Sequence, residues 1–294
     1  MKRSKRRLMI IAMFLAVIVV IGGITAAAVA VGVNASKKSA AFNGEDTTES
    51  TAVITESVTD APTEASPCTD QCRGIPEPIH EFAHENNIPI SEWPKEMIDL
   101  LKRNPETEEF VVNYPLLKNK TYNIDLSDYE NTTSVPHFLQ WDERWGYAPY
   151  GDDNIGIAGC GPTCLSMVYV YLTGDTSMNP KAMAEFATDY GYCVPGNGSS
   201  WSLIHEGGEI LGLDVFEVGL DESLIAYYLE SGYPVICVMG PGEFTDGGHF
   251  VVMTDYIDGQ IKINDPNSII RSEKLWNFED IENQIEGLWA CSTY

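Results

Sequence analysis

The sequence predicts an α+β domain over residues 135–294, with N-terminal helices packed on an antiparallel sheet. Three observations carry that prediction. Between residues 160 and 230, several segments repeat apolar residues at helical spacing. Beyond residue 232 the pattern changes to β-branched runs. Two of those runs flank Asp258-Gly259, a two-residue hairpin signal, so the sheet is antiparallel and follows the helices.

The first 33 residues lie outside that domain. "MKRSKRR" places five basic residues ahead of an uncharged run from Leu8 to Val33. That run exceeds the ~20 residues needed to cross a bilayer. The basic cluster stays on the cytoplasmic side, so a single-pass cell-membrane anchor with everything after Val33 extracellular is expected. "VNA" before Ser36 also fits a cleavable signal peptide, but the apolar run is longer than such a core needs, and a retained anchor is the preferred reading. If the segment is cut, the protein is secreted. Residues 34–67, rich in Thr, Ser, Ala and Glu, cannot bury enough apolar surface to offset ordering entropy and read as an acidic disordered linker.

Residues 68–134 read as an accessory helical cap, with Met97, Ile98, Leu100 and Leu101 on the apolar side of a helix that begins near Pro94. In the main domain, "GPTCLSMVYVYLTG" predicts a helix ended by Gly174, and "NPKAMAEFATDYG" one capped by Asn179 with Pro180 at its first position. "SSWSLIHEGGEILG" predicts a third helix, and "DESLIAYYLESG" a fourth with Asp221 at its cap. "YPVICVMG", "HFVVMTDYI" and "QIKINDP" predict strands, "NFEDIENQI" a short helix and "GLWACST" a final strand.

Charge and cysteine usage narrow the function. All 43 acidic residues lie beyond Val33 with 13 of the 18 basic ones, leaving that part with a formal charge of −30. Such a surface repels phosphate backbones, which excludes nucleic acid as a partner. Seven cysteines is an odd count for an exported chain, so at least one thiol is unpaired within it.

Cys160 stands in "GIAGCGPTCLSM", where an apolar helix begins. A helix N-terminus has unsatisfied N–H groups and about half a positive charge, which pushes a thiol toward the nucleophilic thiolate. Gly161 is expected to leave room for an incoming substrate, and Pro162 suits the first turn. Cys164, one turn deeper, reads as core, and Cys193, Cys237 and Cys291 read as buried thiols.

A cysteine nucleophile needs a base. His249 follows Gly247-Gly248 and opens a strand, and Asp265 ends the next one. Pairing about the Asp258-Gly259 turn places His249 opposite a residue near Ser268, so Asp265 reaches the ring only through a bulge or a bend at Pro266. Asn264 is the alternative orienting group, but alternation sends its side chain to the opposite face. The order Cys, then His at a strand start, then Asp or Asn at the end of the next, is the papain-like order on a helix-then-sheet domain.

"VPHFLQWDERWG", "GCGPTCLSMV", "GGHFVVM" and "NDPN" together resemble family 39 of the cysteine peptidases, whose best-known members cut double-glycine leaders from bacteriocins. The likeness covers residues 135 to about 292 and is greatest to the transporter-free branch of membrane-anchored or secreted domains. It implies a papain-like fold, a peptide or protein substrate, no cofactor, Cys160 as nucleophile, His249 as general base and acid, Asp265 as orienting group and Gln140 as oxyanion donor. No ATP-binding cassette follows before Tyr294, so an exporter role is not expected with the fold. Loops 192–200 and 240–248 are expected to border the cleft.

Two other activities use the same framework. A cell-wall peptide amidase or transpeptidase would employ the same triad, and a non-catalytic peptide-binding module would keep the cleft without the chemistry. Cys68, Cys72, His80 and His84 have zinc-compatible types and spacing, but a Cys68–Cys72 disulfide suits an exported chain better and no metal is expected.

Overall fold

The computed structural model describes residues 74–293. The expected anchor, the linker, Cys68 and Cys72 lie outside the described residues. Among the described residues no helix is long and apolar enough to cross a membrane.

The N-terminal part is built mainly on α1 (Glu77–Asn86), α2 (Lys95–Arg103) and α3 (Glu108–Val112), with shorter helical turns between and after them. Pro94 precedes α2, and Met97, Ile98, Leu100 and Leu101 are its buried residues, as the spacing predicts. They pack with Ile79, Trp93, Phe110 and Val111 into a cluster that also takes in Tyr147 of the main domain. Tyr147 stacks on Phe110 with ring centroids 4.4 Å apart, and its hydroxyl donates to Phe110 O at 2.8 Å. The N-terminal helices are therefore fastened to the main domain by shared apolar surface.

The main domain opens with α4 (Ile155–Ala158) and α5 (Cys160–Thr173), the latter ended by Gly174 in the left-handed conformation at φ 70°. In α6 (Pro180–Asp189) the Asn179 side chain accepts from the N–H groups of Lys181 and Ala182, the cap read from the sequence. The expected third helix differs: Leu203–Gly207 is a π-helical turn followed by only Gly208–Ile210. Two adjacent glycines are poor helix formers and leave that segment without a regular continuation. Helix α7 (Glu222–Glu230) is capped by Asp221, and α8 (Ile269–Glu273), which the sequence reading lacked, by Ser268.

The six sheet strands are β1 (Asp214–Glu217), β2 (Val235–Met239), β3 (His249–Ile257), β4 (Gln260–Asn264), β5 (Leu275–Trp276) and β6 (Ile285–Ser292). They lie in the order β1-β6-β2-β3-β4-β5, with every pairing antiparallel. Alternation along β2 and β3 divides the core. Ile236, Val238, Phe250 and Val252 join the cluster around Leu165 and Val168 of α5. Val235, Cys237, Val251 and Met253 join the one around Ile225 and Leu229 of α7. The fold is α+β, with the cysteine-bearing helix lying on the antiparallel sheet. Because β1 precedes α7, the chain does not finish its helices before starting the sheet.

Candidate active site

Cys160 is the first residue of α5, so its N–H is one of the four at a helix start that lack an intrahelical acceptor. The thiol is half-buried. Burial alone would raise its pKa, but the hydrogen bond and charge of His249, with the N–H groups of Phe250 and Gly161, outweigh burial and hold it below the usual thiol value. The other described thiols are not activated. Burial raises Cys164, Cys237 and Cys291, and it is also the main cause of the raised value of Cys193. Cys193 corrects the expectation of a buried thiol, because it sits half-exposed on a two-residue strand of a small hairpin.

His249 opens β3 and is 7% exposed. Its Nε2–H donates to Asp265 Oδ1 at 2.8 Å, which leaves Nδ1 for the Cys160 thiol. Desolvation would lower the imidazole pKa, but the Asp265 charge and hydrogen bond, joined by Cys160, push it up to about 10. The favoured state is an imidazolium beside a thiolate.

The sheet register explains how Asp265 reaches the ring. Ile257 pairs with Gln260 around Asp258-Gly259, both at positive φ, and the register slips by one residue between Met253 and Asp255. Val252 then faces Asn264, the last residue of β4, and the chain turns through an isolated bridge between Asp265 and Ser268. The sequence reading asked for either a bulge or a bend at Pro266, and the chain has both, with turn residues at 266 and 267. Asn264 points elsewhere, donating through Nδ2 to Val135 O at 3.1 Å and Pro136 O at 3.3 Å.

Asp265 has no exposed surface. Besides His249, its Oδ1 accepts from the N–H of Asn267 at 2.7 Å, and Oδ2 accepts from Arg271 Nε at 2.5 Å. Burial opposes its ionisation, and the His249 and then Arg271 charges overcome that to hold the carboxyl below its usual value. Behind it, His137 Nε2–H donates to Asp265 O at 2.7 Å and the Asp265 N–H donates to Ser272 Oγ at 2.8 Å. Sequence reasoning missed Arg271, His137 and Ser272. Ser268, three residues before Arg271, was the available signal, since a serine at that spacing marks a helix cap.

Gln140 lines the same cavity as Cys160 and is 3% exposed. Its Nε2 donates to Gly156 O at 2.9 Å and Ile157 O at 3.3 Å, while its Oε1 is buried without a partner among the described residues. Helix α4 has only four residues, and two of its carbonyls, those of Gly156 and Ile157, take this amide while that of Ile155 accepts from the Gly159 N–H at 2.8 Å. Gly161 also differs from expectation. A Cβ there would meet Ser199 Oγ at 2.6 Å, so the absent side chain makes room for a neighbouring hairpin, not for substrate.

The cavity holds about 520 Å³. Gly196–Gly198 and residues 242–248 border it, along with Arg271 and, from the N-terminal helices, Leu100, Arg103 and Asn104. The arrangement can form a thiolate, orient an imidazolium and present N–H donors beside the sulfur.

The peptidase domain of Streptococcus ComA, a bifunctional ABC transporter in a quorum-sensing pathway, is 21% identical over 47% of this chain and 93% of its own, with a TM-score of 0.36. A candidate C39-like peptidase from Bacillus anthracis is 16% identical over 59% of this chain and 98% of its own, with a TM-score of 0.37. No curated protein matches the chain. The model of the Peptidase_C39 like family matches residues 132–293, more than half of the sequence, and the chain belongs to that family.

Proposed function

We propose that the protein is a membrane-anchored, extracellular cysteine peptidase that hydrolyses peptide bonds through Cys160, His249 and Asp265. The observation that carries this reading is a thiol at a helix start, paired with an imidazole whose other nitrogen is held at 2.8 Å by a fully buried carboxylate. The thiolate attacks the carbonyl carbon of the substrate, and the tetrahedral oxyanion takes the N–H of Cys160. Gln140 adds a second donor by giving up its 3.3 Å contact with Ile157 O. The His249 imidazolium passes its Nδ1 proton to the leaving amine, and the neutral ring then deprotonates the water that releases the acyl-enzyme. Asp265 stays ionised throughout and keeps the ring aligned. The membrane placement is supported by the uncharged run Leu8–Val33 behind five basic residues.

Incubating the full chain with a complex peptide mixture and identifying new termini by mass spectrometry tests the reading. Cleavage that disappears in Cys160→Ala is expected. Cleavage that persists at the wild-type rate in that variant would contradict it.

A further inference from the structure

Glu106 lies in the 3-10 turn Pro105–Thr107 between α2 and α3, outside the matched family region, yet three of its hydrogen bonds end at Ser268 and the start of α8, just after the triad carboxylate. Its Oε1 accepts from Ser268 Oγ at 2.5 Å, and its Oε2 accepts from the N–H groups of Ile269 at 2.8 Å and Ile270 at 3.1 Å. Ser268 is the hub of that loop. Its hydroxyl oxygen accepts from the Arg271 N–H at 3.0 Å, its carbonyl accepts from Ser272 Oγ at 2.6 Å, and its backbone bridges to Asp265. Asn104 completes the attachment: its Nδ2 donates to Asn267 O at 2.5 Å, and its Oδ1 accepts from the N–H of Glu106 at 3.1 Å.

From this network we infer that Glu106 is a positioning residue for the catalytic triad, acting through Ser268 and α8 on Arg271 and Asp265. The inference rests on the cysteine-peptidase reading and makes the N-terminal helices part of the catalytic apparatus. The physical argument concerns rigidity. Asp265 leaves the sheet at the end of β4, so its position over His249 depends on the turn 265–268 and the five-residue α8. So short a helix has almost no stability of its own. A carboxylate that takes one hydroxyl and two successive N–H groups fixes its start in one place, and Arg271 then delivers Nε to Asp265 Oδ2. A shift of about 1 Å at such a support can cost about 100-fold in rate without touching substrate.

The test is carried out on the full chain with Glu106→Gln. That variant keeps the size of the side chain but turns one acceptor into a donor facing two N–H groups. Three quantities are read: the pH profile of Cys160 alkylation by iodoacetamide, kcat and KM on a cleaved peptide, and Tm. A positioning role predicts that the apparent Cys160 pKa rises by about one unit or more, with kcat down about 10- to 100-fold and KM little changed. A merely structural role lowers Tm and leaves the pH profile of the folded protein where it was, and that result overturns the inference. Asn104→Ala, which removes the attachment to Asn267 and the cap on the Glu106 N–H, should shift the profile in the same direction and serves if Glu106→Gln does not fold. No shift in Asn104→Ala alongside an unfolded Glu106→Gln also overturns it. A wild-type Cys160 with an ordinary thiol pKa would instead defeat the peptidase reading itself, so the two failures are distinguishable.

Discussion

An aspartate with no exposed surface holds three donors at once in this site: the ring of His249, the N–H of Asn267 and the guanidinium of Arg271. Replacing it with asparagine preserves the shape but puts an N–H₂ group among donors, so the wrong ring tautomer is favoured. Asp265→Asn should lower kcat by about 100-fold or more in a peptide-cleavage assay. Its effect on stability has a definite pH dependence. The Asp265 carboxyl is held below its usual value, so its contribution is complete above about pH 4 and fades as pH falls further. The His249 imidazole is pushed up to about 10, so its contribution is complete below about pH 6.5 and fades as pH rises through about 10. The Tm difference between wild type and Asp265→Asn should therefore be widest between about pH 4 and 6.5 and close toward pH 10. A difference that grew with pH across that range would refute the charged pair. At this scale the sequence was informative where chemistry is local: Cys160 at a helix start and His249 after two glycines both announce themselves. Arg271 did not, because its role depends on which way one turn of chain folds.

Helix starts and the bulge in the β3–β4 pair set the geometry of the site at the scale of elements. The Asp258-Gly259 hairpin and the caps at Asn179 and Asp221 were legible, since each is a short-range signal with a defined backbone requirement. The bulge between Met253 and Asp255 was anticipated only as one of two ways, the other being a bend at Pro266, for Asp265 to reach His249. The short strand β1 and helix α8 were not read at all, because four or five residues hold too little periodicity to stand out. Gly161 illustrates a glycine whose meaning is set by a distant element. The hairpin bearing Ser199 presses against α5, so Gly161→Ala should destabilise the protein by about 1–3 kcal/mol in denaturant unfolding. An unchanged midpoint would show that the hairpin moves aside at no cost.

The whole molecule joins two parts whose sequence signals differ in reach. Helix periodicity over 95–103 was sufficient to find α2 and its buried face. It could not reveal that Glu106 meets Ser268, 162 positions later in the chain, because a contact of that range leaves no local pattern. The same holds for Gln140, which entered through family resemblance and whose amide proves to be engaged by the carbonyls of α4. Catalysis by this site requires one reactive thiol among the five described ones, created by the helix start and the imidazolium together. Alkylation of the full chain with iodoacetamide between pH 4 and 9, with modified residues located by mass spectrometry, tests this most directly. Half-exposed Cys193 serves as the internal reference and His249→Ala as the control. Cys160 should be modified fastest, with an apparent pKa well below the ~8.5 of a free thiol, and His249→Ala should remove the advantage. Cys160 reacting no faster than Cys193 across that range would contradict catalysis by this site.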